Sequence, residues 1–124
     1  MLTPSIDGRP LREYLDEVVR WLERYDVPPT EHRLYFGEPY IWVLIGFDKD
    51  AERLRGKGLQ FNDVIRWSPY RGWICSRTGP LPVPYLGTPE DVALAIKECV
   101  LGLTPTTSAE AEEWEKADAV RFGF

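Results

Sequence analysis

The sequence predicts an α+β fold in which an antiparallel sheet of four or five strands packs against an N-terminal and a C-terminal helix, with a further peripheral helix at the C-terminus. Two patterns predict the main helices, because apolar residues recur at helical spacing in residues 10–25 and again in residues 89–102. A third predicts the sheet, since the stretch between them is rich in β-branched and aromatic residues and is broken by glycine and proline. The expected element order is helix, up to five strands, helix.

The N-terminal helix has signals at both ends. Pro10 lies in its first turn, where the missing N–H would have had no partner within the helix, and Asp7 or Ser5 can cap it. Pro28 and Pro29 end it. One face of this helix is apolar and is expected to pack on the core: Leu11, Tyr14, Leu15, Val18, Val19, Leu22 and Tyr25.

Three segments follow that are typical of strands. Residues 40–47 contain an almost continuous β-prone run, which predicts a central strand covered on both faces. Residues 48–60 carry charges and two glycines, and they are expected to form a mobile loop. Residues 63–67 and 73–77 are short β-prone runs joined by a connection of hairpin length, so they are expected to pair.

Proline occupies every second position in the next segment, at Pro80, Pro82 and Pro84. In a strand these three residues would leave one edge without N–H donors, while Leu81 and Val83 donate to the hairpin on the other side. Prolines on an outer edge prevent association of sheets. The alternative is a polyproline-like connector that makes no pairing, and the sequence leaves both open.

The second helix is capped by Thr88, with Pro89 in the first position and Asp91 in the third. Gly102 lies where such a helix commonly ends. Its buried face is predicted to hold Val92, Ala95, Ile96, Cys99, Val100 and Leu103. A third helix is expected to start after Ser108 or Thr107, because glutamates follow there and favour a helix N-terminus.

Length and composition indicate one domain. The chain has 124 residues, of which 44% are hydrophobic, enough for a single core. We expect residues 1–105 to form the α+β domain and residues 106–124 a peripheral helical tail. Cys75 and Cys99 follow no disulfide pattern and are expected to be free thiols. The first thirty residues contain no long apolar run, so a cytoplasmic protein without a membrane span is expected.

The charge distribution bears on possible partners. The net charge is −5, and only residues 48–78 are basic, with seven lysines and arginines against four acidic residues. Nucleic-acid binding depends on neutralising phosphates, so an acidic chain disfavours it. The acidic run after residue 109 is interpreted as a solvated helix face, with an electrostatic partner for a basic loop as the alternative.

No residues are spaced for catalysis or metal binding. His32 has no second histidine near it and is interpreted as structural, and no metal or cofactor site is predicted. No serine has an identifiable base, so no catalytic residue is proposed. The basic loop is expected to be solvated. Its weaker functional interpretation is a cationic patch that binds an anionic ligand: Arg53, Arg55, Lys57, Arg66 and Arg71.

Five tryptophans are many for this length, and aromatic residues dominate both cores and interfaces. Trp42 and Trp73 are predicted to lie in the core. Three aromatic residues flank an apolar face or lie in the poorly patterned tail, and these are the candidate interface residues: Trp21, Trp114 and Phe122.

Several short motifs occur in a fixed order: Asp63-Val64-Ile65-Arg66-Trp67, then Gly72-Trp73, then Tyr85-Leu86-Gly87, then Pro89 and a closing helix. This succession resembles a family of small actinobacterial domains of unknown function, over residues 11–103. The resemblance implies helices on an antiparallel sheet and no assigned activity. The element order is also similar to that of dimeric type III secretion chaperones, a likeness of architecture that carries no function.

Abundant aromatic residues and the lack of a catalytic constellation favour a non-enzymatic protein-interaction or accessory module of the cytoplasm, which is expected to self-associate as a homodimer. Its expected partner is a second copy of the chain or another protein, and the resemblance implies a bacterial protein. The alternative is a binder of small anionic ligands, or an enzyme acting on them, that uses the basic region from residue 53 to residue 71.

Overall fold

A computed structural model of the protein describes residues 8–36 and 41–122. The elements follow the predicted order, and the α+β fold is confirmed. Two long helices, α1 and α2, flank a five-stranded antiparallel meander in which each strand pairs with the next in the chain. The elements are α1 Gly8–Arg24, β1 Glu31–Phe36, β2 Ile41–Phe47, β3 Asp63–Ser68, β4 Gly72–Cys75, β5 Gly79–Pro80, α2 Pro89–Val100 and α3 Ala117–Phe122.

The apolar stripe predicted for α1 is buried in the structure. Six of its residues form the helix's contribution to the core: Leu11, Tyr14, Leu15, Val18, Val19 and Leu22. The helix ends at Arg24, and Asp26 follows with a left-handed backbone (φ 64°) that turns the chain before Pro28. The predicted caps, Ser5 and Asp7, lie outside the described residues.

Burial alternates along β3 and along the first part of β2. In β2, Ile41, Val43 and Ile45 are buried against the helices, whereas Trp42 and Leu44 point to the opposite face and are only half-buried. The prediction that this strand is covered on both faces is therefore wrong. A run of apolar residues can belong to a strand with one open face when the residues on that face are aromatic or otherwise tolerate partial exposure.

Tyr14 connects α1 to three other parts of the fold. Its hydroxyl donates to the Gly87 carbonyl oxygen and accepts a 3.2 Å hydrogen bond from Trp73 Nε1 on β4. Its ring centroid lies 4.8 Å from that of Trp114. Burial raises the pKa of Tyr14 well above its usual value, so the hydroxyl keeps its proton and donates at neutral pH.

The proline-rich segment leaves the sheet almost at once. Strand β5 contains only Gly79 and Pro80, and the Leu81 N–H still donates to the Trp73 carbonyl. The Val83 N–H donates back to the Leu81 carbonyl instead of to the hairpin. The prediction of an extended edge strand that continues to residue 85 is therefore wrong. The connector interpretation describes most of this segment, because the Val83 N–H is used within a local turn.

Helix α2 matches its prediction at both ends. The Thr88 hydroxyl oxygen accepts a hydrogen bond from the Asp91 N–H at 3.2 Å, and Pro89 is the first helical residue. The helix ends at Val100, and Gly102 adopts a left-handed backbone with φ 68° just beyond it.

The C-terminal segment differs from its prediction. Residues 108–116 are not helical, and α3 begins only at Ala117. The Trp114 N–H donates to the Leu86 carbonyl at 2.7 Å, and Glu113 bridges to Gly87. This pairing with the main domain prevents a helical conformation in residues 108–116. Trp114, Ala117 and Val120 are buried members of the core, so the tail packs into the fold along these residues.

Replacing Trp114 by alanine tests the packing of the tail. Trp114 is 6% exposed and its ring packs against that of Tyr14, so we expect Trp114→Ala to lower the free energy of unfolding by about 3–5 kcal/mol. Urea denaturation followed by far-UV circular dichroism measures it. Leu103→Ala is the control. Leu103 was predicted to lie on the buried face of the second helix, but it lies beyond the end of α2 and is 52% exposed, so its truncation should change stability little. Equal effects of the two substitutions would contradict the packing.

Candidate functional site

The helices leave one face of the sheet uncovered, here called the open face. The strand register places Leu44, Arg66 and Ile74 in one row across β2, β3 and β4, and it places Tyr35 beside Trp42 in the next row. The apolar residues among them are half-buried. The open face is formed by Tyr35, Trp42, Leu44, Val64, Arg66 and Ile74.

The aromatic centre of the open face is a stacked pair. The rings of Tyr35 and Trp42 lie 4.3 Å apart between centroids, with 12° between their planes. They are directly opposite each other on neighbouring strands, where aromatic pairs stabilise a sheet. The guanidinium carbon of Arg66 lies 5.6 Å from the centroid of Trp42, within the range of a cation–π contact. Two flat aromatic surfaces and a cation are therefore held together on a face that none of the helices in residues 8–36 and 41–122 covers.

A groove of about 430 Å³ lies beside this pair. Six of the residues that line it provide apolar surface, hydroxyls and positive charge: Trp42, Arg66, Ser68, Arg71, Ile74 and Ser76. Arg71 is placed at the groove by the turn between β3 and β4, where its backbone N–H donates to Ser68 Oγ at 3.2 Å.

Gly72 makes this turn possible. Its φ is +65°, a conformation that glycine adopts without strain, and a Cβ there would lie 3.4 Å from the ring of Tyr85. The position of Arg71 at the groove therefore depends on the glycine that follows it.

The structure separates the five predicted cationic residues. Arg66 and Arg71 both line the groove, as the cationic-patch interpretation requires. The other three make local contacts: Arg53 Nη1 donates to the Pro29 carbonyl, Arg55 Nε donates to the Asp50 carbonyl at 3.1 Å, and the Lys57 ammonium pairs with the Asp26 carboxylate. These contacts tie residues 48–60 to one another and to the connection after α1.

The loop is also anchored by its own apolar residue. A short 3-10 turn at Glu52–Leu54 carries Leu54 into the core, where it is 1% exposed. The prediction of a solvated, mobile loop missed this anchor, because one leucine among charges gives no periodic signal.

The candidate interface tryptophans lie away from the open face. Trp114 is buried, so its ring stabilises the core and has little surface to offer a partner. Trp21 is half-buried, with the Arg24 guanidinium 4.7 Å from its ring centroid. Phe122 is the last residue of α3, and its side chain lies outside the described part of the chain. Sequence reasoning assigned Trp42 to the core, although its alternation with Val43 was the signal that could have placed it on another face.

A second concave region, of about 500 Å³, lies on the side of the helices. Trp21 and Trp114 line it together with Arg20, Arg24 and several carboxylates, including those of Glu17, Glu90, Glu112, Glu113 and Glu115. The residues that line it are mainly acidic, in contrast with the cationic groove on the sheet. The linings of these two concave regions therefore carry opposite net charge.

An ion pair between a buried carboxylate and an exposed arginine, and the two thiols, lie between the sheet and α2. Asp63 is 1% exposed and accepts hydrogen bonds from Arg77 Nε at 2.8 Å and Arg77 Nη2 at 3.0 Å. Cys75 Sγ lies 3.8 Å from Asp63 Oδ1, and Cys99 Sγ lies 3.3 Å from Thr78 Oγ1. Both cysteines are free, as predicted. Burial raises the pKa of Cys99 to about 11, so this thiol is protonated at neutral pH and is a poor nucleophile.

His32 is exposed on β1. Within residues 8–36 and 41–122, no three histidine, cysteine or acidic side chains come together in a group that could hold a metal ion. No helix in this part of the chain combines the length and the apolar character needed to cross a membrane.

No protein-family model, no curated protein and no solved structure matches the chain. The resemblances to an actinobacterial domain family and to secretion chaperones therefore stay predictions. The open face and its groove are the features of the molecule that point to a function.

The raised pKa of Cys99 predicts how stability depends on pH. An unfolded thiol loses its proton near pH 9, whereas folded Cys99 keeps its proton until about pH 11. The folded state therefore binds more protons over this interval, and its stability falls as the pH rises through it. Urea denaturation at several pH values between 9 and 11 should show a smaller loss for Cys99→Ser than for the wild type. Ser76→Ala is the control and should follow the wild type; identical slopes in all three would contradict the assignment.

Proposed function

We propose that the protein is a non-enzymatic interaction module that binds an acidic segment of another protein on the open face of its sheet. The observation that carries this proposal is the stacked pair of Tyr35 and Trp42, with Arg66 against it, on a face that the helices leave uncovered. The free thiols of Cys75 and Cys99 support a reducing, cytoplasmic setting for this role.

The chemistry of the open face is that of an interface centre. Tyrosine, tryptophan and arginine are the residues most enriched among those that carry binding energy. The stacked rings are already ordered by their strands, so binding does not have to immobilise them. Leu44, Val64 and Ile74 add half-buried apolar surface around them, which a partner could cover completely.

The charge of the face supports an acidic partner. Arg66 and Arg71 form no ion pair with any other described residue, whereas Arg33, on the same face, pairs with Glu31 at 3.4 Å. Two arginines beside an apolar patch attract carboxylates and repel other cations, which sets both the rate of association and the choice of partner.

The same charge argues against self-association through this face. A two-fold dimer brings identical patches together, so the arginines of one copy would face the arginines of the other. The expectation of a homodimer is thus less well supported than that of a different partner. A second copy could bind this face only in a head-to-tail contact, with the acidic region beside its own Trp21 against the arginines.

The groove supports a second candidate function, the binding of a small anionic ligand. Its volume of about 430 Å³ suits a small molecule, and Arg66 and Arg71 would hold the negative charge. Arg53, Arg55 and Lys57 would take no part, because each makes its own local contact. A thermal-shift screen with nucleotides and phosphorylated metabolites separates the candidates, since a rise in melting temperature that Arg66→Gln abolishes would favour this second function.

Photo-crosslinking in the native organism tests the proposed interaction. With benzoylphenylalanine in place of Leu44 on the open face, we expect a covalent adduct with a distinct protein. The same group in place of Arg20, an exposed residue of α1, should give no such adduct. Arg66→Glu should lower the yield at position 44 by about tenfold, because it reverses the charge of the face without disturbing the core.

Other results would contradict the proposal. Adducts from position 20 and none from position 44 would move the interface to the helices. Adducts from position 44 that contain only a second copy of the chain would replace the distinct partner with self-association. A yield that Arg66→Glu leaves unchanged would show that the charge of the face plays no part.

A further inference from the structure

We infer that the groove selects partner segments in which a carboxylate side chain and an apolar side chain lie two residues apart in an extended chain. This inference rests on the proposed function and states which chemistry the open face recognises. It follows from three features of the groove: its cationic side, its apolar side and the spacing between them.

The cationic side consists of Arg66 and Arg71. Each guanidinium has five N–H donors in a fixed plane, a geometry that matches the two oxygens of a carboxylate. The hydroxyls of Ser68 and Ser76 also line the groove and add hydrogen-bond donors on either side of Arg66. A lysine or glutamine side chain of a partner would leave these donors without an acceptor of matching charge.

The apolar side consists of Trp42 and Ile74. The cation–π contact holds the Arg66 guanidinium against the ring of Trp42, so a carboxylate bound to Arg66 lies at the border of the aromatic surface. Ile74 is the direct cross-strand neighbour of Arg66. An apolar side chain next to the carboxylate would therefore cover Trp42 and Ile74 and exclude water from the charged contact.

The spacing of these two sides fits an extended segment. Directly opposed residues on antiparallel strands have Cβ atoms about 5 Å apart, so the charged and apolar contacts are close neighbours. In an extended chain, residues i and i+2 point to the same side and lie about 6.5–7 Å apart. Residues i and i+1 point to opposite sides and could not both contact the groove.

The extent of the open face favours a polypeptide over a small ion. Beyond the groove, the row that contains Arg66 continues to Leu44, and Tyr35 lies beyond Trp42. A free anion would contact the arginines but would leave this apolar surface exposed. A peptide with alternating side chains covers both.

Fluorescence anisotropy with designed peptides tests the inference on the intact protein. The probe is a fluorescein-labelled nonapeptide in which glutamate and leucine alternate on one side and serine fills the positions between them. One control peptide has glutamine in place of glutamate, and another has serine in place of leucine. We expect each control to bind about tenfold more weakly than the probe, and the affinity of the probe to fall with added salt.

Variants of the protein assign the contacts. Arg66→Gln and Arg71→Gln are each expected to weaken binding of the probe about fivefold and to bring the glutamate and glutamine peptides closer in affinity. Both residues are exposed, so the variants should fold as the wild type does. Arg20→Gln is the matched control, since it removes one exposed arginine from α1 and should leave the affinity unchanged.

The results that overturn this inference differ from those that overturn the proposed function. Equal affinity for the glutamate and glutamine peptides, or no binding of the probe at millimolar concentration, overturns the selection of a carboxylate. Crosslinks to a distinct protein from position 44 would uphold the proposed function even then. If inorganic phosphate alone displaced the probe, and if the leucine and serine peptides bound equally well, the groove would bind only the anion.

Discussion

The contact of Tyr14 with Trp73, Trp114 and Gly87 fixes the helices on one side of the sheet. A buried hydroxyl that neither donates nor accepts would destabilise the fold, and here it does both, through Gly87 and Trp73. Since its ring also packs on Trp114, one side chain joins α1, β4, the connector before α2 and the C-terminal segment. On this side of the sheet Val43, Ile45 and Ile65 are fully buried.

This one-sided packing decides the character of the other face. Side chains alternate along a strand, so a residue that is buried under the helices, such as Val43, has its neighbours, Trp42 and Leu44, on the side without helices. That side carries apolar rings together with Arg66 and Arg71, while carboxylates are concentrated beside the helices. A molecule with a net negative charge thus presents a cationic, aromatic surface on one side, and the proposed binding of an acidic segment follows from this separation of charge.

Much of the fold was predictable because the relevant signals are local. The spacing of apolar residues in α1, the cap of α2 at Thr88 and the turn chemistry between β3 and β4 all lie within a few residues of the structure they produce. The errors involve contacts between residues far apart in the chain. The Trp114 N–H donates to the Leu86 carbonyl, which is far away in the chain. This hydrogen bond prevents the helix that the glutamates before Trp114 predict. Val83 uses its N–H in a local turn, which shortens the predicted edge strand.

In the candidate site, too, some features follow from local sequence signals and others from contacts between residues far apart in the chain. The sequence by itself determined the residue types, the order of helices and strands and the alternation of side chains along β2, because these depend on local backbone geometry and on hydrophobicity. The tertiary structure alone decided which side of the sheet the helices cover and which cations meet there. Arg66 and Arg71 come together at a groove, while Lys57 pairs with Asp26 across a long loop. Strand register and packing bring these residues together, and the separation of two residues in the sequence carries no information about their distance in space.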